Sequence, residues 1–200
     1  MPREIEERGS LSLERGIEVS TSSRDADDKF SVTDLVSGLK GRGIDAREGD
    51  RGNVKVALLR LDTKKAAELL AKSHVSFDAA RYDEGYVLLT DGNTTYDIAA
   101  TGAGLFYGAQ TIKQLVVVGP GSKAILHGVR IRDWPAMKYR GVSDDLSRGP
   151  MPTLAFQKHQ VRILSEYKVN IYSPYFENTL AYTSNPLAAP PGGAMTRADV

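Results

Sequence analysis

Glu84-Gly85-Tyr86-Val87-Leu88-Leu89-Thr90, Asp91-Gly92-Asn93, then Thr94-Thr95-Tyr96-Asp97-Ile98-Ala99-Ala100 is the stretch that decides how the chain is read. Two β-prone runs flank a three-residue turn containing Asp-Gly, which predicts an antiparallel hairpin. Gly102 to Val118 follows as a helix, with Leu105, Phe106, Ala109, Ile112 and Leu115 gathered on one side. Gly119-Pro120-Gly121-Ser122 breaks it, Ala124 to Ile131 is a further strand, and Asp133-Trp134-Pro135 marks a boundary where the pattern changes.

Upstream, Ser10 to Val19 alternates weakly through Leu11, Leu13, Ile17 and Val19 and reads as one or two short strands. Ser20 to Asp28 is a polar turn whose Asp and Ser side chains suit a helix cap. Val32, Leu35, Val36 and Leu39 fall at helical spacing, with Gly41 and Gly43 as the stop. Asn53 to Leu61 is a half-buried strand, and Thr63 to Lys72, rich in Ala, Leu, Lys and Glu, is a short helix. Downstream of Pro135 the texture is strand, helix, strand: Lys138 to Leu146 extended, a helix capped by Thr153 and running to about Tyr167, then Val169 to Phe176. A Pro- and Gly-rich loop follows Glu177, and Thr196 reads as the cap of a helix with four residues behind it. The expectation is a small α+β domain over residues 1–133 and, over 134–200, the first β-α-β of an α/β structure. Parallel sheets bury both faces and take several such units to do so, so this second part reads as unfinished.

The 200 residues carry 26 Lys and Arg against 25 Asp and Glu, a net charge of +1 with both signs mixed. That balance argues against an electrostatic nucleic-acid footprint. No cysteine is present, which excludes disulfides, thiol nucleophiles and Cys-ligated zinc. No apolar run approaches the ~18 residues of a membrane helix, so no membrane partner is expected. The charged start, Met1 to Arg8, has no signal-peptide core. Taken as a true start it implies the cytoplasm; taken as part of a longer protein it leaves the compartment open. Nothing in the sequence fixes an oligomeric state.

Gly102-x-Gly104-x-x-x-Gly108 at the start of a helix invites a dinucleotide reading, because helix N-termini bind phosphate. The preceding strand belongs to a hairpin rather than a βαβ unit, and close packing of helix on sheet is the simpler use of the glycines. No cofactor is expected. His74, His127 and His159 are scattered and form no metal motif. Trp134 suits either a sugar-stacking platform or, more commonly, a packing residue.

Glu84-Gly85-Tyr86 together with Gly104-Leu105-Phe106-Tyr107-Gly108-Ala109-Gln110-Thr111 resembles the non-catalytic N-terminal domain of glycoside hydrolase family 20, a pattern shared with O-GlcNAcase and α-glucuronidase relatives. Asp133-Trp134-Pro135, then Tyr139-Arg140-Gly141 to Arg148, resembles the opening of that family's catalytic barrel, and Tyr167-Lys168-Val169-Asn170 the lead into its second strand. The resemblance implies a zincin-like α+β domain with a mixed or antiparallel sheet, followed by the start of a (β/α)8 barrel, truncated here. It implies removal of terminal β-linked N-acetylhexosamine, with the substrate's own acetamido oxygen as nucleophile, an Asp orienting it and a Glu as general acid. That Asp-Glu pair belongs to the fourth barrel strand, beyond this chain, so no catalytic residue is assigned and the stretch alone is expected to be inactive.

By the same resemblance Arg140 contacts sugar hydroxyls, the alternative being an arginine ion-paired near Asp144 or Asp145. Asp145 and Arg148 match an Asp-x-x-Arg read as a loop-fixing salt bridge, with Asp144 an additional carboxylate shaping the pocket. The family's His-x-His-x-x-Asp-Asp is replaced by Ser173-Pro174-Tyr175-Phe176-Glu177-Asn178, which leaves Glu177 as a hydroxyl acceptor or a structural residue. An amino-sugar glycoside is the expected partner. The competing reading is a stand-alone carbohydrate-binding or docking module, or a glycosidase of the O-GlcNAcase or α-glucuronidase type.

Overall fold

The structure, a computed structural model, describes residues 2–78, 83–119 and 123–199. It divides into two units, Met1–Ala136 and Met137–Val200. The first contains β1 (Glu4–Ser12), β2 (Ile17–Thr21), α1 (Ala26–Gly41), β3 (Ala46–Glu48), β4 (Lys55–Arg60), α2 (Lys64–Lys72), β5 (Tyr86–Asp91), β6 (Thr94–Ala99), α3 (Gly102–Leu115), β7 (Val116–Val118) and β8 (Ala124–Asp133). The second contains β9 (Gly141–Asp145), α4 (Leu154–Glu166) and β10 (Ile171–Tyr175).

The first unit is a mixed sheet with helices on both faces. Its strands lie in the order β1-β8-β5-β6-β4-β2-β3, with β7 paired to β8. β3, β2, β4 and β6 are parallel; β5, β8 and β1 run antiparallel to their neighbours. Strand alternation separates two cores. On one face Val19, Val56, Leu58, Leu88 and Ile131 meet Leu35 and Leu39 of α1 and Leu105 and Ile112 of α3. On the other, Val87, Leu89 and Ile98 meet Ala66, Leu69 and Leu70 of α2. Each helix starts on a side-chain acceptor for an otherwise orphaned amide: Asp25 for α1, Thr63 for α2, Thr101 for α3 and Thr153 for α4.

The motif residues turn out to be one another's contacts. Tyr86 is buried, and its hydroxyl donates to Asp133 Oδ2 at 2.7 Å and lies 2.6 Å from Thr111 Oγ1. One phenol therefore ties β5 to α3 and to the end of β8, whose Asp133 pairs with Tyr86 across the ladder. Burial, then the Asp133 charge, push that phenol well above its ordinary range, so it stays a donor. The glycines of α3 set the distance at which this is possible. A Cβ at Gly104 would sit 2.5 Å from the Gly85 carbonyl oxygen, and one at Gly108 would overlap the buried Asp97 carboxylate. Gly102 faces Asp27 and Asp28 of α1 in the same way. The Gly-x-Gly-x-x-x-Gly pattern is thus close helix packing.

Several boundaries differ from the sequence reading. The hairpin pairs Asp91 with Thr94, so its loop is the two residues Gly92 and Asn93, with Gly92 at φ 58°, rather than three. The helix after it stops at Leu115; Val116–Val118 leaves as β7, because a β-branched run fits an edge pairing better than a last helical turn. The Arg42 guanidinium takes the Lys113 and Val116 carbonyls at that exit. The predicted break at Gly119 continues into Pro120–Ser122, which lie outside the described residues. The strand at 124 runs two residues past Ile131, to Asp133. Before Ser10 a charged strand, β1, was not foreseen: Glu4 pairs with Arg132 and Glu6 with Arg130 in antiparallel register. The short β3 was likewise not foreseen. Thr196 does not cap a helix; its amide and hydroxyl both donate to Asp199 in a turn.

Tyr86→Phe leaves the buried Asp133 carboxylate and the Thr111 hydroxyl without their shared partner and is expected to lower stability by about 1–3 kcal/mol. Gly104→Ala should cost at least about 1–3 kcal/mol through overpacking, whereas Gly41→Ala, which meets open space at an ordinary φ, should be neutral or slightly stabilising. Urea denaturation of the three variants beside the parent chain measures the order.

Candidate functional site

In the second unit β9 and β10 pair in parallel, with Ile171 opposite Gly141 and Tyr175 opposite Asp145. The connection between them is α4, as a parallel pair requires. The two strands are five residues each, so their ends are separated by roughly 15 Å at about 3.3 Å per residue. The residues singled out by sequence distribute over both ends.

Arg140 is at the amino end. Its Nε donates to the Lys168 carbonyl at 2.7 Å and one terminal nitrogen to that of Met137 at 2.8 Å. Its backbone is held as well: the amide donates to Asn170 Oδ1, and its carbonyl accepts from the amides of Asn170 and Ile171. Asn170 Nδ2 closes the knot on the Lys138 carbonyl. The arginine therefore clamps the two strand starts together, and the structure does not pair it with Asp144 or Asp145.

At the carboxyl end stand Asp145, Arg148 and Glu177. Asp145 Oδ1 accepts from both the amide and the hydroxyl of Ser147, at 2.9 and 2.6 Å. These two bonds, more than the Arg148 charge, hold its carboxyl below the ordinary aspartate range. Arg148 Nε approaches Oδ2 only to 3.7 Å, with both side chains largely exposed, so this ion pair contributes little to holding the loop. Leu146, buried just after the strand, donates its amide to the Tyr175 carbonyl and fixes this edge. Glu177 is exposed, with φ 48°, in a turn where its carbonyl accepts from the Tyr182 hydroxyl. Asp144 lies on the other face of the sheet, where it accepts from the Tyr172 hydroxyl at 2.9 Å. Burial, then that bond, push the Tyr172 phenol up to about 12. Sequence reasoning passed over Tyr172 and Asn170; the alternation of β10 and the position of Asn170 beside Arg140 were the available signals.

Beside this sheet Val161, Arg162, Tyr172, Pro174, Phe176 and Met195 line a groove of about 510 Å³. In the first unit Trp134 is half-buried, with the guanidinium groups of Arg3 and Arg132 at 5.2 and 5.4 Å from its ring, a packing role. Among the described residues no three His, Asp or Glu side chains gather as a metal site.

The model of glycosyl hydrolase family 20, domain 2, matches residues 1–134. This chain belongs to glycosyl hydrolase family 20. It is 34% identical over 94 residues to a β-hexosaminidase of Porphyromonas gingivalis, an alignment covering 44% of this chain and 12% of that protein. The Flavobacterium johnsoniae chitobiase structure superposes with a TM-score of 0.75 at 19% identity, covering 99% of this chain and 30% of the other. The exo-β-N-acetylglucosaminidase of Vibrio harveyi, solved with N-acetylglucosamine, gives 0.71 at 15% identity over 93% and 27%. The family 20 chain described here thus spans a third or less of each of these relatives.

Arg140→Ala is expected to speed hydrogen exchange at the Asn170 and Ile171 amides at least tenfold, about the effect of losing one to two charged hydrogen bonds; Arg140→Lys should not restore it, having no planar fork for two carbonyls. For Asp145 the carboxyl is depressed in the folded state, so its turn is fully formed above the ordinary value of 3.8 and is lost only as pH falls through the lower, folded value. The Ser147 amide shift followed by NMR between neutral pH and pH 2 reads that midpoint.

Proposed function

We propose that this family 20 chain is the N-terminal part of a β-N-acetylhexosaminidase-like enzyme. Residues 137–200 are, in this reading, the opening β-α-β of a (β/α)8 barrel, behind a zincin-like domain that carries no catalytic group. The reaction is hydrolysis of terminal β-linked N-acetylhexosamine, with the acetamido oxygen of the substrate attacking its own anomeric carbon. The Asp and Glu that assist that attack lie outside these 200 residues.

The observation that carries this reading is the incomplete burial of a parallel sheet. Gly141, Ser143, Asp145, Ile171, Ser173 and Tyr175 are all exposed on one face, while parallel pairs are covered on both. Helix α4 likewise leaves Phe156, Val161 and Ile163 exposed, and among the described residues of the unit Leu146 and Met195 are the buried apolar side chains. A 64-residue piece with so little of its apolar surface removed from water is short of neighbours. The superposition on the chitobiase, which runs through residues of both units, supports the same reading.

Within it, the carboxyl end of β9 and β10 faces the sugar, where barrel enzymes place their chemistry. Glu177 accepts a sugar hydroxyl, and Asp145 and Arg148 shape the wall. Asp144 is committed to Tyr172 and sets the sheet's other face. For Arg140 the contact with sugar hydroxyls stays what the resemblance implies, its guanidinium also holding the Met137 and Lys168 carbonyls at the amino end of the pair.

The test compares residues 1–200 with the same chain extended through its natural downstream sequence, on a chromogenic β-N-acetylglucosaminide. The short chain should give no turnover and the extended one should. Replacing the acetyl by trifluoroacetyl should slow the extended enzyme sharply, because the carbonyl oxygen is then a poorer nucleophile. Turnover by the short chain, or none by a folded extended protein, overturns the proposal.

A further inference from the structure

Strand β1 is fastened to the first unit differently from the strands beside it. Residues 3–10 are exposed throughout, Ile5 included, and β1 meets the apolar clusters through the half-buried Leu11. Its ladder to β8 is interrupted: the register shifts between Glu7 and Ser10, where Gly9 has φ 78°, as in a bulge. On the amino side of that bulge the strand is clamped by charge. The Glu4 carboxylate accepts from Arg132 Nη2 and Nε at 2.6 and 2.9 Å, and Glu6 Oε2 from Arg130 Nη2 at 2.8 Å. Glu6 Oε1 pairs with Arg8, which belongs to the same strand and moves with it.

The two arginines are anchored elsewhere. Arg130 donates Nη1 to the Ser73 carbonyl and Arg132 donates Nη1 to that of Ser76, so both stay with the segment after α2. Between that segment and β1 lies a cavity of about 230 Å³ lined by both ion pairs and His74, where apolar filling would have fixed the strand. At the start of β1, Arg3 reaches the last residues of the unit. Its amide donates to Asp133 Oδ1 at 3.2 Å and its Nε to the Trp134 carbonyl at 3.1 Å, with its guanidinium 5.2 Å from the indole ring. Exposed ion pairs are weak and screened by salt, whereas apolar burial is neither. A strand held by the former on a sheet sealed by the latter opens at lower free energy than its neighbours.

We propose that residues 3–10 are an electrostatic strap that leaves β8 as one piece while the sheet stays closed, and that in leaving it releases Asp133 and Trp134 from Arg3. Ionic strength is the control. At low salt the strap is shut and the segment through which the chain leaves the first unit is held; at high salt both are freed together. The device is independent of the glycosidase reading, because every group in it belongs to residues 1–136.

The test is 15N relaxation dispersion on the full 200-residue chain, followed at the backbone amides of residues 3–7 and at the indole nitrogen of Trp134, the single tryptophan. Raising NaCl from 0.1 to 1 M shortens the screening length from about 10 to about 3 Å. The open form is expected to rise about fivefold over that range, to roughly 1–10% of molecules. Arg3 through Glu7 and the indole should share one exchange rate, with Val87 and Leu88 of β5 flat. Combining Glu4→Gln with Glu6→Gln should raise the open fraction to a similar extent at 0.1 M and remove most of its salt dependence. Glu14→Gln, whose pair with Lys123 lies beyond the end of β1, should leave both unchanged. Flat dispersion in β1 at 1 M NaCl, a salt-independent open fraction, or rates that fall off residue by residue as in simple fraying overturns the strap. An indole that does not share the rate of β1 overturns its hold on Trp134.

Discussion

The phenolic oxygen of Tyr86 sits where β5, α3 and the end of β8 converge, and the first unit is arranged so that this hydroxyl finds its two partners, Asp133 and Thr111. β5 and β8 are neighbours in the sheet, and β1 and β7 join it only through β8. α3 is held against the sheet at the separation that Gly104 and Gly108 permit, and at that separation Thr111 reaches the phenol. The triad is buried, and a buried polar network is stabilising only when its members are satisfied together. Asp133 completes it by accepting from Tyr86 on one oxygen and from the Arg3 amide on the other, which also fixes where β1 begins its pairing. Family motifs that look unrelated along the chain, a tyrosine after a glycine, a glycine-spaced helix and an aspartate before Trp134, are therefore parts of a single contact.

That explains which features were legible in the sequence. The hairpin, α1, α2 and α4 follow from local rules, a period and a cap, and each cap side chain is where its helix begins. β1 follows from no local rule: Glu4-Ile5-Glu6 has the look of a solvated tail until it is set against Arg130-Ile131-Arg132, its partner more than a hundred residues away. Its charges also blunt an edge strand, which is a reason for them to be there. The end of α3 departs from the sequence pattern for a comparable reason. Apolar content continues through Val116–Val118, but three β-branched residues prefer a strand once an edge beside β8 is available.

At the candidate site the same division holds. The positions of Asp145 and Glu177 at the carboxyl end follow from recognising two strands and their direction. The role of Arg140 does not, because two backbone carbonyls, one three residues before it and one twenty-eight after it, leave no side-chain signature to read. Asn170 belongs to the same knot. An arginine and an asparagine that look like polar site residues in the sequence are here hydrogen-bonded to main chain at the strand starts, and main-chain partners are invisible to motif reasoning.

The contrast between the units bears on how each is stabilised. In the first, two apolar clusters are sealed on either side of an extended sheet, and the Tyr86–Thr111–Asp133 network is buried with them. In the second, order comes from hydrogen bonds at the two ends of a short parallel pair, the Arg140–Asn170 knot at one and the Leu146–Tyr175 bond with the Asp145–Ser147 turn at the other. Hydrogen bonds of this kind fix geometry well but add modestly to stability, about 1 kcal/mol each, and apolar burial is the larger driving force. A unit built mainly of the former has its strand ends aligned before its faces are covered. The faces then select what packs on them: the groove beside α4 is apolar, whereas the opposite face becomes polar only toward the carboxyl end.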